Sequence, residues 1–158
     1  MAAIITPAIP QDLIDFLHKY RVFLIAGHKE PDGDCIGSSI AMSLFLRRLG
    51  KETVLLSAGP FQRPEIQAYE ALFSAHVPDA LKERPDEVGA IIVDCSGIDR
   101  TGDLAEQLAD FPSICIDHHA TNATKSVGSL VYADAPSTTF IIQSIIEHLC
   151  GSVTKEEA

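Results

Sequence analysis

Three short apolar runs each stop on a cluster of acidic or acidic and imidazole side chains, and no other feature constrains this chain as much. Val22 to Ala26 runs into His28-Lys29-Glu30-Pro31-Asp32-Gly33-Asp34, Gly89 to Val93 stops at Asp94, and Ser113 to Ile116 stops at Asp117-His118-His119. Continuous apolar runs bounded in this way predict strands buried on both faces, the pattern of a parallel sheet. In such a sheet the carboxyl ends of neighbouring strands share one edge, and ligands bind in the crevice there. The three clusters are therefore expected to converge.

Helical patterns fill the gaps between the runs. Pro10 to Tyr20 predicts a first helix, with Leu13, Ile14, Phe16 and Leu17 on or near one face. A second helix is expected from Gly37, with Ile40, Ala41, Leu44, Phe45 and Leu49 at helical spacing and Gly50 as its stop. Thr53 to Ser57 then predicts another strand. Pro60, Pro64, Pro78 and Pro85 mark the stretch from Ala58 to Pro85 as an irregular excursion holding one short helix around Glu65 to Phe73. Leu104 to Ala109 predicts a short helix and Gly128 to Tyr132 a fifth strand. Ser137 to Leu149 predicts a closing helix with Ile141, Ile142, Ile145, Ile146 and Leu149 as its buried stripe and Gly151 as its stop. Thr154-Lys155-Glu156-Glu157 has the pattern of one further helical first turn capped by Thr154. Together these elements predict an α/β fold: a doubly wound, mostly parallel sheet of about five strands with helices on both faces.

Composition narrows the function. At 158 residues the chain fits one domain, and with 46% hydrophobic residues but no Trp its core must be mainly aliphatic. A formal charge of −10 argues against binding a long nucleic acid duplex through a basic surface. Small anionic substrates would need bound cations, and such cations would offset several of the carboxylates. Cys35, Cys95, Cys115 and Cys150 form no C-x-x-C pair, so neither a zinc ribbon nor a disulfide framework is expected, and a reducing cytoplasm fits best. No apolar segment is long enough for a membrane span, and residues Met1 to Pro10 lack the basic start of an export signal.

Carboxylate oxygens with imidazole nitrogens suit Mn²⁺, or Mg²⁺, better than the thiolate-rich sets that select zinc or iron–sulfur clusters. Carboxylates also bridge. Two ions about 3.5–4 Å apart can activate a water and neutralise charge on a phosphoryl group, so phosphoester hydrolysis is the expected chemistry. One acidic turn after a strand is more simply a solvated loop or a helix cap. Three in succession, each ending an apolar run, are not accounted for in that way.

His28-x-x-Pro31-Asp32-Gly33-Asp34-x-x-Gly37-Ser38, then Val93-Asp94, then Asp117-His118-His119, resembles the first three motifs of the DHH phosphoesterase family in the family's order. Ala135-Pro136-Ser137-Thr138-Thr139 resembles its next motif, a serine and threonine pair opening a helix. The resemblance runs from about Val22 to Cys150. It implies that His28, Asp32 and Asp94 hold one Mn²⁺ and that Asp34, Asp94 and His118 hold a second, with Asp94 as the bridge and part of the catalytic set. His119 would face the substrate phosphate, and Asp117 would orient its neighbours from behind the ligands. Gly33 would allow a tight turn between two ligands, and the amides near Gly37 and Ser38 would offer anion-binding donors at a helix N-terminus.

The family adds a further Asp in an Asp-Thr-Gly context and then a second, substrate-gripping domain. This chain ends before either, so the expectation is a DHH domain cut short of its last metal-ligand motif, with a C-terminal domain in the full-length protein. Asp32-Gly33-Asp34 differs from the Asp-Thr-Asp of the family's manganese pyrophosphatases. It resembles the branch that cleaves short oligoribonucleotides and removes the 3′-phosphate of adenosine 3′,5′-bisphosphate. A cyclic-dinucleotide phosphodiesterase and a nucleotide-binding module that has lost catalysis are the alternatives, and a homodimer is left open. Ser137, Thr138 and Arg100 are candidate substrate contacts; Lys125 follows the third cluster in the same way as Arg100 follows the second. His18, His76 and His148 lie outside the clusters and are given no chemistry.

Overall fold

The computed structural model describes residues 6–121 and 126–158. Five strands, β1 (Val22–Ala26), β2 (Glu52–Leu56), β3 (Val88–Val93), β4 (Ser113–Asp117) and β5 (Leu130–Val131), form one sheet in the order β2-β1-β3-β4-β5. Every pairing is parallel, with Val22 opposite both Glu52 and Val88 and Ile91 opposite Ile114. The chain leaves β1 for one side of the sheet and returns to the other side at β3, so the strand order reverses between these two strands. Such a reversal opens a crevice at their carboxyl ends.

Helices cover both faces, as the two-sided burial of β1 and β3 requires. On one face α1 (Gln11–Lys19), α2 (Gly33–Arg48) and α5 (Thr138–Cys150) set Leu13, Leu17, Met42, Phe45, Ile141 and Ile145 against Phe23, Ile25, Ile91, Val93, Ile114 and Ile116. On the other, α3 (Asp79–Lys82) and α4 (Leu104–Leu108) pack Leu81, Leu104 and Leu108 on Val22, Leu24, Ala90 and Ile92. Successive residues of each strand thus feed opposite cores, the period-two geometry of a strand. α3 is an addition to the expected elements. The Glu65 to Phe73 helix is a 3₁₀ segment, Gln67–Leu72, and β5 is shorter than Gly128 to Tyr132.

The main departure is the start of α2, one turn earlier than Gly37. Pro31-Asp32-Gly33 has the composition of a break, but Asp32 is the N-cap, its Oδ1 accepting the Cys35 amide at 2.9 Å. Moving the start also moves the buried face. Ser38, Ser39 and Ser43 lie inward beside Met42, Phe45 and Leu46, whereas Leu49 is exposed. Two of these hydroxyls are absorbed locally: Ser39 donates to the Cys35 carbonyl at 2.8 Å, and Ser43 bonds Thr53 at 2.7 Å. Ile36 instead meets Phe61 and Ile66 in a small third cluster, with Ile40 packed against it.

At its far end α5 stops at Gly151 in the left-handed conformation. Beyond it Thr154 and Glu157 cap each other reciprocally: the Thr154 amide donates to Glu157 Oε2 at 2.7 Å, and the Glu157 amide donates to Thr154 Oγ1 at 3.3 Å. The same Glu157 oxygen lies 3.1 Å from the Arg48 guanidinium at the end of α2. Among the described residues, no helix is long and apolar enough to cross a membrane.

Candidate metal centre

The carboxyl ends of β1, β3 and β4 bring the three clusters together. Past β1 the backbone runs beneath the first turn of α2 at Gly27, where a Cβ would sit 2.1 Å from Cys35 Sγ and 3.2 Å from the Val93 carbonyl oxygen. That contact leaves room only for a hydrogen. His28 follows, with Nδ1 2.8 Å from the Lys29 carbonyl oxygen. A carbonyl only accepts, so Nδ1 carries the proton of the neutral ring and the lone pair of Nε2 faces the carboxylates.

Asp94 is the centre of the arrangement. It sits just past β3 in a left-handed conformation, φ 57°, which Asp tolerates better than most residues, and is 2% exposed. Its amide donates to the Ile116 carbonyl at 3.0 Å, which fixes it against β4. Asp94 Oδ2 lies 3.7 Å from His28 Nε2, and Oδ1 lies 3.7 Å from His118 Nε2. Asp32 Oδ1 is 3.9 Å from His28 Nε2, and Asp34 Oδ2 is 3.6 Å from His118 Nε2. One buried carboxylate therefore turns an oxygen toward each of two imidazole and carboxylate sets.

β4 ends on Asp117, which is fully buried and fixes both histidines that follow it. Oδ1 accepts the His118 amide at 2.9 Å and lies 2.6 Å from His119 Nδ1. His119 Nδ1 is also the nitrogen 3.9 Å from Asp94 Oδ1. Because Asp117 holds it, the nitrogen left available on this half-exposed ring is Nε2.

The charges follow from these contacts. Burial pushes the Asp94 carboxyl above its usual range, against the opposing effect of the facing His28 ring, and the charge of Asp34 adds to the rise. Burial also acts to raise Asp34, but the amides of Thr139 and Thr138 outweigh it and hold the carboxyl below its usual range. The facing Asp94 carboxylate raises His28, and the hydrogen bond to Asp117 raises His119, in both cases against desolvation. Among the described residues, the basic side chains that pair with Asp32, Asp34 and Asp94 are all imidazoles. Such a concentration of like charge, faced by free imidazole lone pairs, is the donor set of a hard or borderline divalent cation. Two triads have ligand atoms within 4.8 Å of one another: His28, Asp32 and Asp94, and Asp94, His118 and His119.

The helix α5 contributes what local sequence reading misses. The Thr138 and Thr139 amides donate to Asp34 Oδ2 and Oδ1 at 2.8 and 2.9 Å, and the Thr138 hydroxyl donates to Asp94 Oδ1 at 2.8 Å. Thr138 is fully buried, so its expected role as a substrate contact is replaced by that of holding two carboxylates. Ser137 is the N-cap of α5, accepting the Phe140 amide at 3.2 Å, and remains partly open to solvent. Gly33 stands in the first turn of α2, and a Cβ there would meet nothing within 4 Å, so no tight turn depends on it. Gly37 and Ser38 lie inside α2 rather than at its N-terminus, which removes their amides as anion donors. Ser38 is buried and its hydroxyl has no partner among the described residues. Arg100 is exposed at the rim, its carbonyl accepting the Lys29 amide at 3.0 Å, and Lys125 lies outside the described residues.

A doubly wound α/β domain with carboxylates and imidazoles gathered at its strand-order reversal defines a class of folds with a candidate cation site at the sheet edge. Within that class the chain belongs to the DHH family: residues 22–158 match the DHH family, N-terminal domain. It is 30% identical over 112 residues to a probable manganese-dependent inorganic pyrophosphatase of Staphylococcus carnosus, and 25% identical over 119 residues to one of Enterococcus faecalis. These alignments take in 71% and 72% of this chain but 36% of each relative, so the chain spans little more than a third of the proteins it matches. The fold is shared with the crystal structure of an exopolyphosphatase-related protein from Bacteroides fragilis, TM-score 0.77 at 21% identity, over 97% of this chain and 48% of that one.

Proposed function

We propose that this chain is the metal-holding part of a manganese-dependent phosphoesterase. The observation that carries the reading is Asp94, whose two oxygens face His28 and His118 separately at 3.7 Å each. His28, Asp32 and Asp94 would hold one Mn²⁺, and Asp34, Asp94 and His118 a second, with Mg²⁺ as the other cation such oxygens accept. When bound, a pair of such ions lowers the pKa of water and offsets phosphoryl charge. The manganese dependence named for the pyrophosphatase relatives supports this choice of cation.

The chain's own groups then have distinct tasks. Asp117 fixes the ring of His119 so that Nε2 points away from the carboxylates, where it donates a hydrogen bond to a phosphoryl oxygen or a proton to the leaving oxygen. Asp117 also holds the His118 backbone, and Thr138 orients Asp94 and Asp34. Ser137 and Arg100, which line cavities on the two sides of this arrangement, would be further contacts for a bound substrate. The greater length of the relatives supports placing the remaining substrate grip, and the last metal ligand, in a further domain of the protein. Four free cysteines suit a reducing cytoplasm.

The substrates that fit this reading are short oligoribonucleotides and the 3′-phosphate of adenosine 3′,5′-bisphosphate. A cavity of about 780 Å³ lies between α2 and α5; Gly33, the neighbour of Asp34, and Thr139, whose amide holds Asp34, lie on its wall with Ser137, Ile36, Tyr69 and Phe140. Its apolar and aromatic side chains suit the organic part of a nucleotide, while the carboxylates of Glu65, Glu156 and Glu157 on the same wall give nothing to an inorganic phosphate. Pyrophosphate is the second reading, favoured by the names of the curated relatives. The test is phosphate and mononucleotide release from these three substrates by the full-length protein with Mn²⁺. Activity should fall by roughly 10²–10³ in Asp94→Ala, the scale of losing one main charge-stabilising group. Unchanged activity in that variant, or nucleotide binding without turnover of any of the three, would overturn the reading.

A further inference from the structure

We infer that Lys29 and Arg100 form a subsite for a second anionic group, so that the centre prefers substrates carrying two phosphates over those carrying one. This rests on the proposed function for where the first phosphoryl group sits, beside Asp94. Beside His28 lies a cavity of about 500 Å³ lined by His28, Lys29, Glu30, Asp99, Arg100 and Gly102. It is thus a separate space from the one between α2 and α5, and the two share no lining residue.

Three observations build the subsite. The backbone pairs the two cations, since the Lys29 amide donates to the Arg100 carbonyl at 3.0 Å. The stem of Lys29 is laid along Gly102: a Cβ there would meet Lys29 Cβ at 3.2 Å and Cδ at 3.6 Å, and Gly102 has φ +67°, a conformation that side chains resist. Thirdly, neither cation pairs with a carboxylate among the described residues, although Glu30 and Asp99 line the same cavity. Asp99 Oδ1 lies 3.1 Å from where a Gly97 Cβ would sit, on the wall of the same cavity. In a chain of formal charge −10, this cavity beside the acidic centre is locally balanced, its two cations, Lys29 and Arg100, matching Glu30 and Asp99 and neither engaged by them. An anion whose first phosphate is held at the carboxylates would find its second charge met there, by a planar Arg fork and a Lys point charge.

The second anionic group can come from a nucleotide or from an inorganic phosphate chain, and two ligand pairs separate these sources. Calorimetry with Mn²⁺ would compare adenosine α,β-methylenediphosphate with AMP, and methylenediphosphonate with methylphosphonate. The full-length protein should prefer the member with two phosphorus-centred anionic groups in at least one pair by about 10- to 100-fold, the worth of one or two charge-assisted hydrogen bonds. In Lys29→Ala/Arg100→Ala that ratio should collapse toward one, and Arg100→Lys alone should keep part of it. Both residues are exposed, so folding is not at stake. A preference in the nucleotide pair alone assigns the subsite to nucleotides, and in the phosphonate pair to phosphate chains. No preference in the unaltered protein, or the same ratio in the double variant, would overturn the inference. Failure of Mn²⁺-dependent hydrolysis with the ratio still collapsing would instead remove the proposed reaction and leave the subsite standing.

Discussion

Both oxygens of Asp34 accept amides from the first turn of α5, so this carboxylate fastens a helix a hundred residues away in addition to facing His118. A negative charge at a helix N-terminus is favourable through both the free amides and the dipole. In protein stripped of divalent ions, Asp34→Ala should cost about 1–2 kcal/mol, as for other helix caps. Its pH dependence has a definite sign. The folded-state pKa is lowered below the ordinary value of 3.8, so the contribution is fully present above that value and is lost as pH falls through the lower one. Denaturant titrations of wild type and Asp34→Asn in chelator should therefore differ most near neutrality and converge in acid. A gap that widens on acidification would contradict the helix-fastening role. None of this is legible locally, because nothing near position 34 announces Thr138 and Thr139. The ligand-type residues themselves are legible, since each cluster closes an apolar strand.

At the level of elements, the strands and their shared edge follow from the apolar runs, and the structure places β1, β3 and β4 nearly where those runs lie. What the pattern obscures is α2. Pro31 and Gly33 resemble a turn, yet proline tolerates the position before an N-cap and glycine the first helical one, so Asp32 opens the helix a turn early. The inward face then carries serines, which weakens the apolar stripe that would reveal its orientation. The early start also presses Cys35 on Gly27. Gly27→Ala should destabilise by about 1–3 kcal/mol or more through overpacking. Adding Cys35→Ala should recover much of that loss, because the 2.1 Å contact to Sγ disappears while that to Cβ is an ordinary 3.7 Å. Strict additivity of the two changes, measured by chemical denaturation, would show that the crowding lies elsewhere. The proline-rich stretch hides α3 for a related reason: Pro78 sits just ahead of the helix, where proline is compatible with a helix start rather than a barrier to one.

Across the whole molecule, the metal-free centre holds acidic groups that repel one another around a buried carboxylate. Burial raises the Asp94 pKa, so its charge weighs against folding at neutral pH, and an amide that still accepts from Thr138 removes that burden. Asp94→Asn should thus melt no lower than wild type in chelator. Mn²⁺ at about a hundred times its dissociation constant should add about 2.7 kcal/mol to wild type. For a chain of this size that is roughly 5–10 °C in melting temperature. Asp94→Asn should show little of this shift; a full shift in the variant would mean that the cation binds without the bridge.

The amides that clasp Asp34 also tie the reaction centre to the rest of the architecture. A cation held at Asp34 would draw on the same oxygen lone pairs that accept from the opening turn of α5, and that helix lies against α2 along the flank of the sheet. Loading and emptying the proposed centre would therefore be transmitted as strain or slack in a structural rod, with ligand placement and rigidity sharing a single fastener.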